Sequence, residues 1–268
     1  MKRLIAIALF CAALASPAAA TDLHGAWTAT TDAPDRVHLF MTTGPWQQFG
    51  HSFDISTLGI QPSVIQATTS TPVTLKLDRD AGTLMLEGTF KNGDGAGQFT
   101  FAPNRSYFES IRAMGLTADL PDNRTDGEQL FSLAVIDVSL AYIRSMRAVF
   151  PDASLREFRK ARSVGVTPDY VASMRQSGFE ITNLHDAARL SAVGVTSDYI
   201  RSMRAAGVDV RDAREATRLR AVNVTPEFVA QLAGAGYRNL TTRDLIRLAS
   251  VGVDDRFIRD MSKYRDQK

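Results

Sequence analysis

The second half of the chain repeats one pattern of apolar and polar positions about every 29 residues. In each copy a valine precedes a capping-type residue, and a tyrosine or phenylalanine follows four positions after the valine. The copies lie at residues 137–142, 165–170, 194–199, 223–228 and 252–257. A period of this length is typical of stacked arrays of small helical units. The pattern therefore predicts a solenoid-like repeat.

Each unit is expected to form two short helices, A and B. In helix A, Thr167 fits the N-cap, Pro168 fits the first helical position, and Gly178 fits the left-handed residue that ends the helix. Helix B ends at the glycine, asparagine or aspartate before each valine. The predicted N-cap and N3 pairs of the B helices are Asp126/Gln129, Ser154/Glu157, Asn183/Asp186, Asp212/Glu215 and Thr241/Asp244.

The helices are expected to depend on their neighbours. Each spans about ten residues, which is too short to persist alone in water. Apolar residues such as Val171 and Met174 line one face of a helix, so adjacent units must stack to bury them. Asn104 and Tyr107 extend the pattern backwards, which gives six A helices and five B helices over residues 104–268. The array then begins directly after the last predicted strand, so we expect rigid docking of the two parts.

Before the repeats, apolar and polar residues alternate with the period of a β-strand. The predicted strands cover residues 37–41, 48–53, 73–77, 83–90 and 97–101, and residues 54–60 form either a short helix or a crossover. Short Gly, Asp and Asn loops join the last three strands, which indicates an antiparallel meander. The expected fold class is α+β, with a small antiparallel β domain at residues 21–103 followed by an α-helical repeat array at residues 104–268.

The first twenty residues resemble a signal peptide. Lys2 and Arg3 precede an apolar run at residues 4–15, and the Ala18-Ala19-Ala20 tripeptide permits cleavage near Thr21. That run is too short to be a stable membrane span. We therefore expect a periplasmic or secreted protein with no transmembrane span in the mature chain. An uncleaved anchor or a lipid anchor is the alternative.

The composition of the chain argues against several classes of ligand and metal site. The chain has 31 basic and 29 acidic residues, so loss of Lys2 and Arg3 would leave it formally neutral, which argues against nucleic-acid binding. The single cysteine, Cys11, lies inside the predicted signal peptide, so the mature chain would contain no disulfide and no thiolate metal site. The histidines of the first domain, His24, His38 and His51, have no spacing typical of a metal motif.

No motif for a known reaction occurs in the chain. The sequence contains no nucleophile elbow, phosphate-binding loop, zinc-protease helix or dinucleotide fingerprint. The interpretation is a protein that is not an enzyme and has no cofactor, and an unrecognised hydrolase with paired carboxylates is the lesser alternative. Trp27 and Trp46 are expected in the core, although an aromatic platform there would favour an envelope sensor that binds a small molecule or cell-wall fragment.

The repeats resemble a bacterial family. Units of the form G-V-T-P-E-[FY]-[VI]-x-x-[LM]-x-x-x-G-[FY] are similar to the tails of some β-lactam-sensor-type membrane metallopeptidases. In those tails a β segment like residues 86–104 precedes the first unit, so the resemblance covers roughly residues 73–268. Because this chain has no H-E-x-x-H motif and no membrane bundle, the resemblance implies an extracytoplasmic sensing or interaction module without peptidase activity.

Two columns of basic residues recur at fixed positions in the repeats. Stacking would align each set along one face and create a groove for an anionic partner, such as an acidic protein segment, a glycan or a lipid headgroup. Complementing the helix dipole or pairing with neighbouring repeats is the structural alternative. We therefore predict a non-catalytic binding or scaffold protein with a protein partner in the cell envelope. The candidate partner-binding residues are Arg112, Arg147, Arg175 and Arg204 in the A helices and Lys160, Arg189, Arg218 and Arg247 in the B helices.

Overall fold

The computed structural model describes residues 22–44, 47–117 and 124–253, together with Phe257. A six-stranded antiparallel sheet precedes an array of short helices, which confirms the predicted α+β fold class. The predicted signal peptide and Trp46 lie outside the described residues. So does most of the sixth A helix, which stays a prediction.

The sheet consists of two antiparallel meanders joined through their first and last strands. The strands are β1 Leu23–Ala33, β2 Arg36–Gly44, β3 Gln47–Asp54, β4 Thr71–Arg79, β5 Gly82–Lys91 and β6 Asp94–Pro103. Their order is β3-β2-β1-β6-β5-β4. Two short helices, α1 Ile55–Leu58 and α2 Pro62–Ile65, connect β3 to β4, which confirms the short-helix alternative. Strand β1 was not predicted.

Trp27 belongs to the core of the sheet and is only 1% exposed. Its Nε1 donates hydrogen bonds to the carbonyls of Glu87 at 3.3 Å and Gln98 at 3.1 Å. The ring lies over Gly88, where an added Cβ would come within 2.6 Å of the ring and 2.2 Å of the Ala96 carbonyl oxygen. The glycine is therefore required by close approach, and Trp27 is a core residue, not a ligand platform.

The helices stack in two layers. The A helices contact one another in succession, and so do the B helices from the second to the fifth. The described A helices are α3 Ser106–Ala113, α5 Leu140–Arg147, α7 Pro168–Gln176, α9 Ser197–Ala205 and α11 Pro226–Gly234. The described B helices are α4 Asp126–Val135, α6 Leu155–Ser163, α8 Leu184–Ala192, α10 Ala213–Ala221 and α12 Thr242–Ser250.

Most predicted caps are confirmed, with two corrections. The hydroxyl of Thr167 accepts from the Tyr170 N–H at 3.0 Å, and Gly178 is left-handed at φ 72°. The first B helix is capped by Thr125 and Glu128, not by Asp126 and Gln129, because Thr125 and Glu128 bond each other reciprocally. The first A helix has Arg105 as its N-cap residue, although the Asn104 side chain still accepts from the Ser106 N–H at 3.2 Å.

The first B helix joins the array to the sheet. Phe131 of α4 stacks on Phe99 at 5.2 Å and meets Phe49 and Phe101 edge-on at 4.9 and 5.3 Å. As a result, the buried apolar residues of the sheet and of the helices form one continuous core. Among the described helices, none alone is long and apolar enough to cross a membrane. Only α4 and α5 taken together, with a 74° bend between them, meet that test.

Candidate functional site

Two of the predicted A-helix arginines hold the repeats together. Arg147 donates to the carbonyl of Met114, and Arg204 donates to the carbonyls of Ser177 and Gly178. These carbonyls lie at the end of the preceding A helix, where no intrahelical partner is available. Arg112 and Arg175 occupy the same repeat position and are exposed, and their side chains have no hydrogen bond or salt bridge to any described residue.

A similar contact between repeats occurs in the B layer. Arg162 of α6 donates to the backbone carbonyl and to the carboxylate of Asp137, both at 3.2 Å. One repeat later, Ser191 takes this position and donates to the carbonyl of Val164 at 2.6 Å. Arg162 was not among the predicted site residues. The serine at the next equivalent position interrupts the basic column that would have revealed it.

The predicted B-helix residues lie on the outside of the array. Lys160, Arg218 and Arg247 are exposed, and within the described part of the chain their side chains have no hydrogen bond or salt bridge. Arg189 is half-buried and lies 4.0 Å from Asp186 of its own helix. Four positions earlier, on the same helix face, each helix carries a second exposed basic or imidazole side chain. We call the eight residues the basic strip: Arg156, Lys160, His185, Arg189, Arg214, Arg218, Arg243 and Arg247.

The acidic residues of these four helices are fewer than the basic residues of the strip. Each helix has a single acidic residue, always at N3, where it faces the N-cap. Hydrogen bonds from the backbone and side chain of Ser154 lower the pKa of Glu157. Hydrogen bonds from Thr241 lower the pKa of Asp244 in the same way. These carboxylates keep their negative charge, but the strip carries seven arginine and lysine residues against four of them and so keeps a net positive charge.

Where the strip meets the sheet, two adjoining clefts follow strand β3. The first, of about 500 Å³, lies between β3, α4 and α6. Its charged lining residues among those described are Arg124, Arg156, Arg159 and Lys160, and none of them is acidic. The second, of about 760 Å³, continues past the ends of α4, α6 and α8 and shares Gly50 with the first.

The second cleft contains both charges. Asp137 lies 3.2 Å from Arg162 and 3.5 Å from Arg79, and its backbone is left-handed at φ 56°. Aspartate tolerates the left-handed conformation better than most residues do. Asp137 can therefore both end the helix and pair with the two arginines. His51 faces the sheet interior. Burial, followed by the charges of Arg162, His38, Arg36 and Arg79, lowers the pKa of His51 below 6.5.

The histidines have separate hydrogen-bond partners. The Nδ1 of His24 lies 3.2 Å from the Thr100 hydroxyl, and the Nδ1 of His38 lies 2.8 Å from the Ser52 hydroxyl. Within the described ranges, no three His, Cys, Asp or Glu side chains are close enough to share a metal ion. His185 is exposed.

Comparisons of the chain with family models, with curated proteins and with solved structures found no match. The resemblance to metallopeptidase tails therefore stays an expectation from the sequence. Function has to be argued from the geometry and charge of the strip and the clefts.

Proposed function

We propose that the protein is a non-catalytic binding or scaffold protein, periplasmic or secreted, that uses the basic strip to bind an acidic segment of a partner protein. The observation that carries this proposal is the recurrence of basic or imidazole side chains, four residues apart, on four successive B helices, all of them exposed except the half-buried Arg189. Packed helices lie about 8–10 Å apart, so these pairs form a continuous band of positive charge.

The arginines of the A helices differ from those of the basic strip in a way that supports the strip as the binding surface. Arg147 and Arg204 are engaged with carbonyls of the preceding repeat, and Arg201 pairs with Asp198 of its own helix. Some of the positively charged side chains of the A helices are therefore already engaged in contacts within the fold. The basic strip has fewer such contacts, which leaves its charges available to a partner.

A matched pair of variants tests the proposal. One variant replaces Arg214, Arg218 and Arg247 of the strip with glutamine. The control makes the same replacement at exposed A-layer arginines, Arg112, Arg144 and Arg175, and removes the same charge.

Binding of fluorescent poly-L-glutamate is measured by anisotropy. The strip variant should bind about tenfold more weakly, because each exposed charge contributes roughly 0.2–1 kcal/mol. The control should bind within about twofold of the parent.

Crosslinking in a native envelope fraction then identifies the partner. A partner captured by the parent chain and by the A-layer control, but not by the strip variant, supports the proposal. Equal losses of poly-glutamate binding in both variants, or a captured set that the strip variant leaves unchanged, would overturn it.

A further inference from the structure

Strand β3 is an unprotected edge of the sheet. It is the last strand in the sheet order, so one side of its backbone has no neighbouring strand among the described residues. Natural proteins usually block such edges with proline, lysine or bulges, because open backbone groups invite pairing with another chain. The opposite edge, β4, carries Pro72 and Lys76. Strand β3 reads QQFGHSFD and has neither, and the one register shift in its pairing with β2 lies at its start, between Thr42 and Gly44.

The two clefts run along this edge and together form what we call the edge groove. Residues 48–50 line the first cleft and residues 50–54 line the second, so every residue from Gln48 to Asp54 faces the groove. Successive side chains of a strand point to opposite faces of the sheet. Clefts lined by all of them in turn therefore reach both faces of the sheet at β3, and the second cleft extends further to Arg36 and His38 of β2 and to Arg79 at the end of β4.

The far wall of the edge groove is basic. It is formed by α4 and α6 and carries Arg156, Arg159 and Lys160 in the first cleft, whereas in the second cleft Arg162 is paired with Asp137. Because α4 packs on the inner face of the sheet through Phe131, this wall lies on the inner side of β3. On the outer side, Phe40 pairs with Gly50 across the two strands and is 47% exposed.

We infer that the edge groove binds an extended acidic peptide segment of the partner protein, which adds to β3 as a seventh strand. Backbone hydrogen bonds to β3 would supply the pairing, as in other cases of strand addition. Alternate side chains of the added strand would face the basic wall, and the others would lie near Phe40. The fitting sequence is therefore one that alternates acidic and apolar residues. This inference rests on the proposed function and adds a binding mode to it.

The test uses the full mature chain and a peptide of about eight residues that alternates glutamate and valine, a length typical of a strand. Two probes serve as controls: the same peptide N-methylated at alternate amides, and a version with lysine for glutamate. Affinity is measured by calorimetry. N-methylation keeps the charge and removes backbone donors, so it should weaken binding at least about tenfold. The lysine peptide should not bind.

Variants of the protein locate the site. Arg156→Gln with Lys160→Gln changes the groove wall, whereas Arg144→Gln with Arg175→Gln removes the same charge from exposed positions of the A helices, outside the basic strip. The first pair should weaken binding of the glutamate peptide about tenfold, and the second should leave it within about twofold. Bound peptide should also slow amide hydrogen exchange along β3.

Three results would overturn the inference: no binding of the glutamate peptide, equal binding of its N-methylated form, or equal losses in both double variants. None of them refutes the proposed function, because poly-glutamate binding by the basic strip is measured separately with its own variants. Conversely, peptide binding that depends on Arg156 and Lys160 would stand even if the strip variant bound poly-glutamate normally.

Discussion

A ladder of tyrosine hydroxyls joins successive repeats and predicts a pair of opposite stability effects. The hydroxyl of Tyr199 donates to the carbonyl of Val224 at 2.9 Å, where the next repeat begins. Tyr107 and Tyr170 make the same contact with the next repeat at 2.7 and 2.9 Å. Tyr142 occupies the equivalent position, yet its hydroxyl is buried and has no partner within the described part of the chain.

The unit that contains Tyr142 differs from the units whose tyrosines make the contact. Tyr170 and Tyr199 each lie 25 residues before the carbonyl that they reach, and Tyr107 lies 31 residues before it. The unit that contains Tyr142 is one residue shorter than the two that follow it, and α5 ends at Arg147 with Ala148 as its C-cap and no glycine after it. The Tyr142 ring instead lies 5.3 Å from the guanidinium of Arg162. Burial raises the pKa of Tyr142 to about 12, although the charge of Arg162 acts in the other direction.

Replacement of each tyrosine by phenylalanine should therefore separate the two situations. Tyr199→Phe removes a hydrogen bond and leaves a carbonyl without its donor, which should reduce the free energy of unfolding by about 1–2 kcal/mol. Tyr142→Phe removes an unsatisfied buried hydroxyl and should raise the free energy of unfolding by about 1 kcal/mol. Urea unfolding followed by circular dichroism measures both. For a chain of this size, 1 kcal/mol corresponds to a Tm change of about 2–4 °C.

Each variant differs from the parent chain by a single oxygen atom, so each serves as the control for the effect of removing a hydroxyl in the other. Equal destabilisation by Tyr142→Phe and Tyr199→Phe would refute the reasoning, because it would mean that the ring packing and not the hydroxyl ladder sets the cost. A changed urea m-value in either variant would signal altered cooperativity, in which case the midpoints are compared only between variants with equal slopes.

Three further predictions concern the arginine contacts between repeats, the second cleft and the N-terminus of the mature chain. Arg204→Gln should lower the free energy of unfolding by about 1 kcal/mol in urea titrations, whereas Arg175→Gln should change it by less than about 0.5 kcal/mol, since only Arg204 holds the preceding helix end. The pKa of His51 is lower in the folded protein than in the unfolded chain, so below about pH 6.5 the unfolded chain takes up the proton more readily and the free energy of unfolding falls. The variant His51→Gln should lose less of its free energy of unfolding than the parent chain when both are unfolded in urea from neutral to acidic pH. Expression in a bacterium followed by fractionation and N-terminal sequencing should place the mature chain outside the cytoplasm with its start near Thr21.

The repeat was predictable because its signals are local. Valines and left-handed residues recur at a fixed spacing, and each valine N–H bonds back to the end of its own B helix, as in Val195 to Leu190 at 2.9 Å. Such contacts involve residues only a few positions apart, so the sequence contains both partners. The misplaced cap of α4 is the informative exception, since Thr125 and Asp126 are both good capping residues and only the reciprocal bond with Glu128 separates them.

Strand β1 and the edge groove were missed for different reasons. Strand β1 reads LHGAWTATTDA, in which small and polar residues replace most of the expected apolar alternation, and only Trp27 and Ala29 are buried. The groove brings together β3 and α6, which are about a hundred residues apart in the chain. No periodic pattern relates them, because their approach depends on how α4 packs on the sheet.

That packing makes the edge groove a property of the sheet and the array together. Counted back from the left-handed residue that ends each B helix, Phe131 of α4 and Arg159 of α6 occupy the same position. The aromatic residue enters the core between Phe49 and Phe99, and its basic counterpart one repeat later lines the first cleft. The helix surface therefore changes from apolar to basic where the sheet ends. An array without the sheet would keep the positive charge but lose the strand edge, and a sheet without α4 would lose Phe131 from its core.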